Sequence, residues 1–565
     1  MKTTIYLVIG VFLALGAIVL LPIDWWPESL QQPMAQIAGV PAWRAAPATD
    51  PVEPGISEPH CVELSPEWRD GHTIDGVEIE PSLVCNPDNP ANVAAFVKGT
   101  NNVSAATLMK TGLAADAVVK GDDLDGDGDP DVIHIRLEVA ELNGFSPDID
   151  APVPGYAIAP GIEPGFWVFT PKTRGMATET FESLRANPLL RVPSPVIRIE
   201  QGDQVMLTLE NTHTMPHTIH LHGVDHPFLD ANGEGNDGVP QTSETPVMPG
   251  EARTYDISPR QTGTMFYHCH VQPAIHILMG LQGMMVIEEN RPNNWLQTLN
   301  VGGGAVRHRS VASRTEYDRE YDLHYQDIDR DLHDIIRVSN DPRVIAEQVH
   351  RRYDITERTA DYFLLNGRSF PYTVRESTIV AKPDERIRLR VLNGGAEGIS
   401  LHTHGHKTTI THYDGVEAPP GGKITRDVVW IAPAQRVDLL LETKNDGLHS
   451  YGEGIWLLHD HREMAVTTDG MGPGGGVSAI VYESFLDEDG WPKGQGVDWT
   501  PFFSPAYYAR AVPVWAAYDP LGILGDVAPE RALDIQKIVW ATDVGLLAAL
   551  LIVVLRRRRR RGDIS

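Results

Sequence analysis

Two stretches of this chain repeat one pattern, and no other feature limits its possible folds so tightly. From Phe166 to about Glu289, and again from about Tyr321 to Tyr482, the same order recurs: a strand-like run, a tight turn carrying an acid, a second strand, an asparagine and a cluster of histidines. Val196 to Leu209 is the first copy of the paired strands and Ile379 to Leu392 the second. Apolar and polar residues alternate in both, as they must in a strand buried on one face. A self-similar unit of this size reads as a duplicated β-sandwich. With 43 Pro and 51 Gly available for turns, the expected class is all-β.

The 565 residues call for more than one domain. We divide them into a signal or N-terminal anchor (1–22), a tether (23–58), an N-terminal extension (59–165), two sandwiches (166–295 and 315–490), a linker (491–534), a transmembrane helix (535–555) and a basic tail (556–565). Ile5 to Leu21 is an unbroken apolar run behind Lys2, an export signal or an uncleaved anchor. Ile538 to Leu555 is apolar apart from Thr542 and Asp543, and the arginines from Arg556 to Arg561 that follow it belong in the cytoplasm by the positive-inside rule. The working part is therefore expected to be membrane-anchored and periplasmic or extracellular. A net charge of −29 argues against a nucleic-acid partner and suits a cationic substrate. In an oxidising compartment Cys61 and Cys85 are free to close one disulfide loop, which leaves Cys269 single. Within the extension, Asp123, Asp125, Asp127 and Asp131 alternate around Gly128, a pattern that gathers carboxylates about one hard cation such as calcium.

The histidines carry the chemistry. Four His-x-His pairs occur, His220 with His222, His268 with His270, His402 with His404, and His459 with His461. Residues two apart on a strand share a face, so each pair projects two imidazoles to one side, and the four pairs supply eight for metals. Cys269 lies between His268 and His270 and points the other way, where His217 and His276 can meet it. A thiolate with two imidazoles and a weak axial ligand is the blue-copper set, suited to electron transfer. The same strand then links two metal sites across one residue on either side of Cys269. The second sandwich has Ile399 in place of His217 and Asp460 in place of Cys269, so it keeps its imidazole pairs and loses the mononuclear set.

These motifs resemble the multicopper oxidases, in particular the two-domain laccase-like type with type 1 copper in the first domain. The resemblance covers about Phe166 to Tyr482 and is supported by Asp237 to Thr242, Pro249 with Gly250, Gly263 to His268, and Phe363 to Pro371. It implies two cupredoxin-like Greek-key sandwiches and four coppers. By position it implies type 1 copper on His217, Cys269 and His276, type 2 copper on His220 and His402, and a type 3 pair on His222, His268, His270, His404, His459 and His461. Asp237 matches an acid that assists proton delivery to oxygen, and relatives of this type are homotrimers. Here Cys269 and His276 stand farther apart than the family's usual spacing, and Leu281 occupies the expected axial position, with Met279 as the alternative. The activity implied is one-electron oxidation of Fe(II), Mn(II), Cu(I) or a phenol, coupled to four-electron reduction of oxygen to water. A copper nitrite reductase and a non-catalytic copper or electron-transfer protein are the alternatives. His213, His226, His406 and His412 lie beside the motifs without fitting them.

Overall fold

The protein is described here by a computed structural model covering residues 116–173, 190–306 and 317–494, apart from 293, 295, 297 and 489, together with 72–74, 77–79, 114, 186, 500–510 and 544–556. The N-terminal apolar run, the tether, Cys61, Cys85 and the arginines after Arg556 lie outside the described residues.

In the first sandwich, one sheet runs in the order His220–His222, Gly263–His268, Gln282–Glu288, Val196–Glu200 and Leu299–Asn300. The facing sheet runs Ala252–Ile257, Gln204–Glu210, Val132–Leu142 and Val118–Gly121, with Phe166–Pro171 also on Val132–Leu142. Alternate residues of both sheets, among them Ile135, Leu137, Leu207, Leu209, Ile197 and Met285, close one core. The domain boundary at 165 is therefore corrected. Val132–Leu142 pairs in parallel with Gln204–Glu210 and antiparallel with Phe166–Pro171, so Val118–Gly121 and Val132–Leu142 belong to the sandwich. Burying Ile133, Ile135, Leu137 and Val139 on one side of that strand gains far more than a solvated hairpin would.

The second sandwich sets Arg319–Ile328, Arg386–Asn393, Arg436–Glu442 and Thr408–Tyr413 against a sheet of Ile379–Ala381, Ser478–Tyr482, Ile455–Asp460, Ile399–Thr403 and Val428–Ile431. Ile387, Leu389 and Val391 face its core. The arginines between them do not all face water. Arg390 is buried at the junction of the sandwiches, where it donates to Glu288, Asp438, Thr264 and Glu320. Arg198 makes a bidentate pair with Asp322 beside it, at 2.6 and 2.7 Å. Ions buried this deeply need such partners.

A helical insertion joins Arg319–Ile328 to Tyr362–Leu365. It comprises Arg330–Val338, Pro342–Glu347 and a π-helical turn, Gln348–Arg352. Asp329 and Asp341 cap the two α-helices by accepting from the Asp331 and Arg343 amides, and Pro342 starts the second. Leu332, Ile336, Ile345 and Val349 from this insertion pack into the core of the first sandwich. Among the described residues no helix is long and apolar enough to cross a membrane. The 544–556 helix exposes Leu546, Leu551, Ile552, Val553 and Leu555.

Candidate metal centre

Cys269 directly follows the Gly263–His268 strand, whose antiparallel partner sets His220 opposite His268 and His222 opposite Phe266. The residues on either side of Cys269 diverge from it. The rings of His268 and His270 lie 5.2 and 5.3 Å from that of His220. Cys269 turns into the core, with Sγ 3.7 Å from Nδ1 of His217 and 3.3 Å from Nδ1 of His276.

Local structure explains both approaches. A two-way backbone bridge to Val247 holds His217, and His276 ends the short Pro273–His276 helix, which Pro273 opens. The ring of Trp167 stands edge-on to His217 and His276 at 6.1 and 5.2 Å. Gly280 permits this closeness, because at φ +116° an added Cβ would sit 2.7 Å from the Trp167 carbonyl oxygen. Leu281 accepts the Cys269 amide at 3.0 Å and Met279 the Trp167 amide at 2.9 Å, and both side chains are fully buried.

The donor set fits a soft metal. Burial pushes the Cys269 thiol up to about 12, so without a cation the proton stays on sulfur. Burial, and then neighbouring imidazoles, hold His217 and His276 well below the usual histidine range, which leaves them neutral and able to ligate. Copper here would supply a one-electron couple suited to these soft and borderline donors.

The other imidazoles form two sets. His220, His222 and His268 bring ring nitrogens within 4.8 Å of one another, and so do His402, His404 and His459. His220 Nδ1 donates to the Asp237 carbonyl at 2.7 Å and His402 Nδ1 to the Asp427 carbonyl at 3.0 Å, which leaves Nε2 of each for a metal. His268 and His459 each point Nδ1 at the next residue's carbonyl. His270 Nδ1 is buried without a hydrogen-bond partner, and His461 lies within ring contact of His402 and His459. Burial lowers His222 to about 4 and His268 to about 3, with nearby cationic groups adding to it in His222. Among the described residues, ring contacts run within each set and none joins the two. The first set lines a recess with Phe266 and Ile277. Near the second, Trp430, Leu457 and Met464 are exposed.

Asp237 stands between the first set and His226, its Oδ1 3.3 Å from His220 Nδ1 and 3.2 Å from His226 Nε2. Of the histidines that fitted no motif, His226 thus touches Asp237, while His406 donates towards the His404 carbonyl and meets the Tyr482 hydroxyl. His412 lies 3.6 Å from Asp438, and His213 caps His217, with Nδ1 2.9 Å from its Nε2. Asp460 accepts from the Ser400 and Arg462 amides and the Arg462 guanidinium, so it fills the cysteine position as a structural anion. Ile399 is core. In the aspartate loop, Asp123, Asp125 and Asp127 converge. Asp131 does not join them, because its Oδ2 accepts the Leu124 and Asp125 amides.

Multicopper oxidase family models match residues 190–292 and 337–452. The chain is 25% identical to an iron transport multicopper oxidase of Gibberella zeae, over 52% of this chain and 44% of that protein. It is 24% identical to a copper resistance protein A of Escherichia coli, over 50% and 46%. A solved blue copper oxidase from Nitrosomonas europaea is 24% identical, covering 67% of this chain and 93% of that one at a TM-score of 0.46. The chain spans under half the length of these curated relatives.

Proposed function

The chain belongs to the multicopper oxidase family, and we propose that it oxidises a metal ion or phenolic reductant one electron at a time while reducing oxygen to water. The observation that carries this reading is the position of Cys269. Its Sγ lies among Nδ1 of His217 and His276, and its two chain neighbours belong to an imidazole set on the opposite side. In this reading His217, Cys269 and His276 hold type 1 copper, with Leu281 at the axial position. His220 and His402 hold type 2 copper, and His222, His268, His270, His404, His459 and His461 hold the type 3 pair. Asp237 stands beside His220 as the acid that passes protons towards oxygen in this reading, and the protein's part is to fix these donors.

The separation of the two imidazole sets within one chain supports a homotrimer of the two-domain laccase type, in which a partner's second sandwich completes each cluster. Exposed Trp430, Leu457 and Met464 beside the second set give that contact an apolar margin. The apolar run Ile538 to Leu555 and the arginines behind it support a membrane anchor with the sandwiches periplasmic or extracellular. The aspartate loop is a calcium position in this account, with Asp123, Asp125 and Asp127 as its carboxylates.

Oxygen uptake by the copper-loaded protein with Fe(II), Mn(II), Cu(I) and a phenol tests the activity. Stoichiometric oxygen loss with one donor class is expected. Nitrite reduction without oxygen uptake would turn the assignment to a nitrite reductase, and neither reaction would leave an electron-transfer protein. Light scattering tests the trimer, and extraction from membranes at alkaline pH tests the anchor.

A further inference from the structure

If His217 and His276 turn Nδ1 to a metal with Cys269, each keeps Nε2 for a second partner. Both partners are imidazoles. His217 meets His213, whose far nitrogen lies 3.5 Å from the Glu141 carboxylate. His276 Nε2 lies 3.0 Å from Nε2 of His350, the two rings stacked at 5.3 Å and 22°.

His350 comes from the helical insertion, which roofs this side of the first sandwich. Ile345 and Val349 seat the roof in the core, and the Tyr353 amide bonds back to Gln348 across a π-helical turn at 2.8 Å. A π turn inserts a residue into the helical register and re-aims the side chains after it, and such turns are frequent at functional sites. Beneath the roof, His217, Cys269 and His276 are each 0% exposed. A donor in solvent therefore has no access to a ligand ring, whereas His350 is half-buried and reaches from His276 towards the surface.

We propose that His350 is the outer end of the mononuclear site: it accepts the Nε2–H of His276, fixes the tautomer whose Nδ1 faces Cys269, and offers the ring edge that an electron donor touches. Each encounter oxidises the donor by one electron. With copper held by Cys269, His217 and His276, the paired rings would carry that electron inward, and no bond would form or break. His350 is a positioning residue towards His276, and groups of this kind commonly set metal affinity by about 10–100-fold. The inference rests on the copper reading of the previous subsection.

The test uses the full chain and two variants, His350→Phe, which keeps a ring and removes the acceptor, and His350→Gln, which keeps an acceptor and removes the ring. Co(II) binding is followed by the thiolate-to-cobalt absorption that depends on Cys269. Anaerobic reduction of the copper-loaded protein by ferrocyanide is followed by bleaching of its blue band. The phenylalanine variant should bind Co(II) about 10–100-fold more weakly and the glutamine variant nearly as tightly as the parent, while both are reduced at least about 10-fold more slowly. If the phenylalanine variant fails to fold, slower reduction of the glutamine variant with retained Co(II) affinity supports the assignment. Parental reduction rates in the variants, or parental Co(II) affinity in His350→Phe, overturn it. Absence of the Cys269-dependent absorption in the parent protein overturns the copper reading itself.

Discussion

Replacing Arg390 with methionine keeps most of the buried volume and removes one cation from the junction of the sandwiches. The guanidinium is 1% exposed and serves Glu288 at 2.9 Å, Asp438 at 3.2 Å, Thr264 at 2.9 Å and Glu320. Breaking a buried pair by deleting one partner costs about 3–5 kcal/mol, because the remaining charge stays desolvated. Arg198 lies 3.5 Å from Glu320 and Arg388 donates to Asp438 at 2.7 Å, so the lower end, about 3 kcal/mol, is expected. The loss should also depend on pH. Burial raises Glu320, but Arg390, Arg198 and Arg388 more than offset this and bring it to about 2. In the parent it therefore contributes stability above the ordinary carboxylate range that is lost as pH falls towards 2. In the variant burial still raises Glu320 while only Arg198 and Arg388 offset it, so its carboxyl should move up and protonation should cost the folded chain less. Urea unfolding of the metal-free protein should show the gap narrowing between about pH 7 and about pH 4. Equal stability at neutral pH, or a gap indifferent to pH, would refute the reasoning.

Asp237→Asn should leave copper content intact, since His220 bonds the Asp237 backbone carbonyl, and should slow steady-state oxygen uptake by about 100-fold through loss of the proton donor. Leu281→Met should lower the reduction potential of the blue centre in a redox titration, because a thioether can donate where leucine cannot. Calcium at about 100 times its dissociation constant should stabilise the chain by about 2.7 kcal/mol, an increment read by thermal unfolding and absent in Asp123→Ala.

The imidazole pairs were legible because strand periodicity converts a spacing of two into a shared face, and the strands set His220 opposite His268 and His402 opposite His459. Cys269 with His217 and His276 was legible for the same reason, one residue out of phase. His350 was not. It lies 74 residues from His276 and meets it only through a turn that folds onto another sandwich. No local pattern states which core that insertion covers. Arg386, Arg388 and Arg390 alternate with apolar residues like a solvated strand face. Only tertiary packing puts Arg390 beside Glu288 and Asp438. The place of Val132–Leu142 was not legible either, because its partners Gln204–Glu210 and Phe166–Pro171 are set by tertiary pairing.

Copper per chain, measured together with the visible and paramagnetic spectra of the parent and of Cys269→Ser, tests the central assignment most directly. Four coppers per chain are expected, with an intense blue absorption that the serine variant loses along with one copper, while the copper held by the paired imidazoles stays. A blue band that survives in the serine variant, or a parent that binds copper without any such band, would contradict the account.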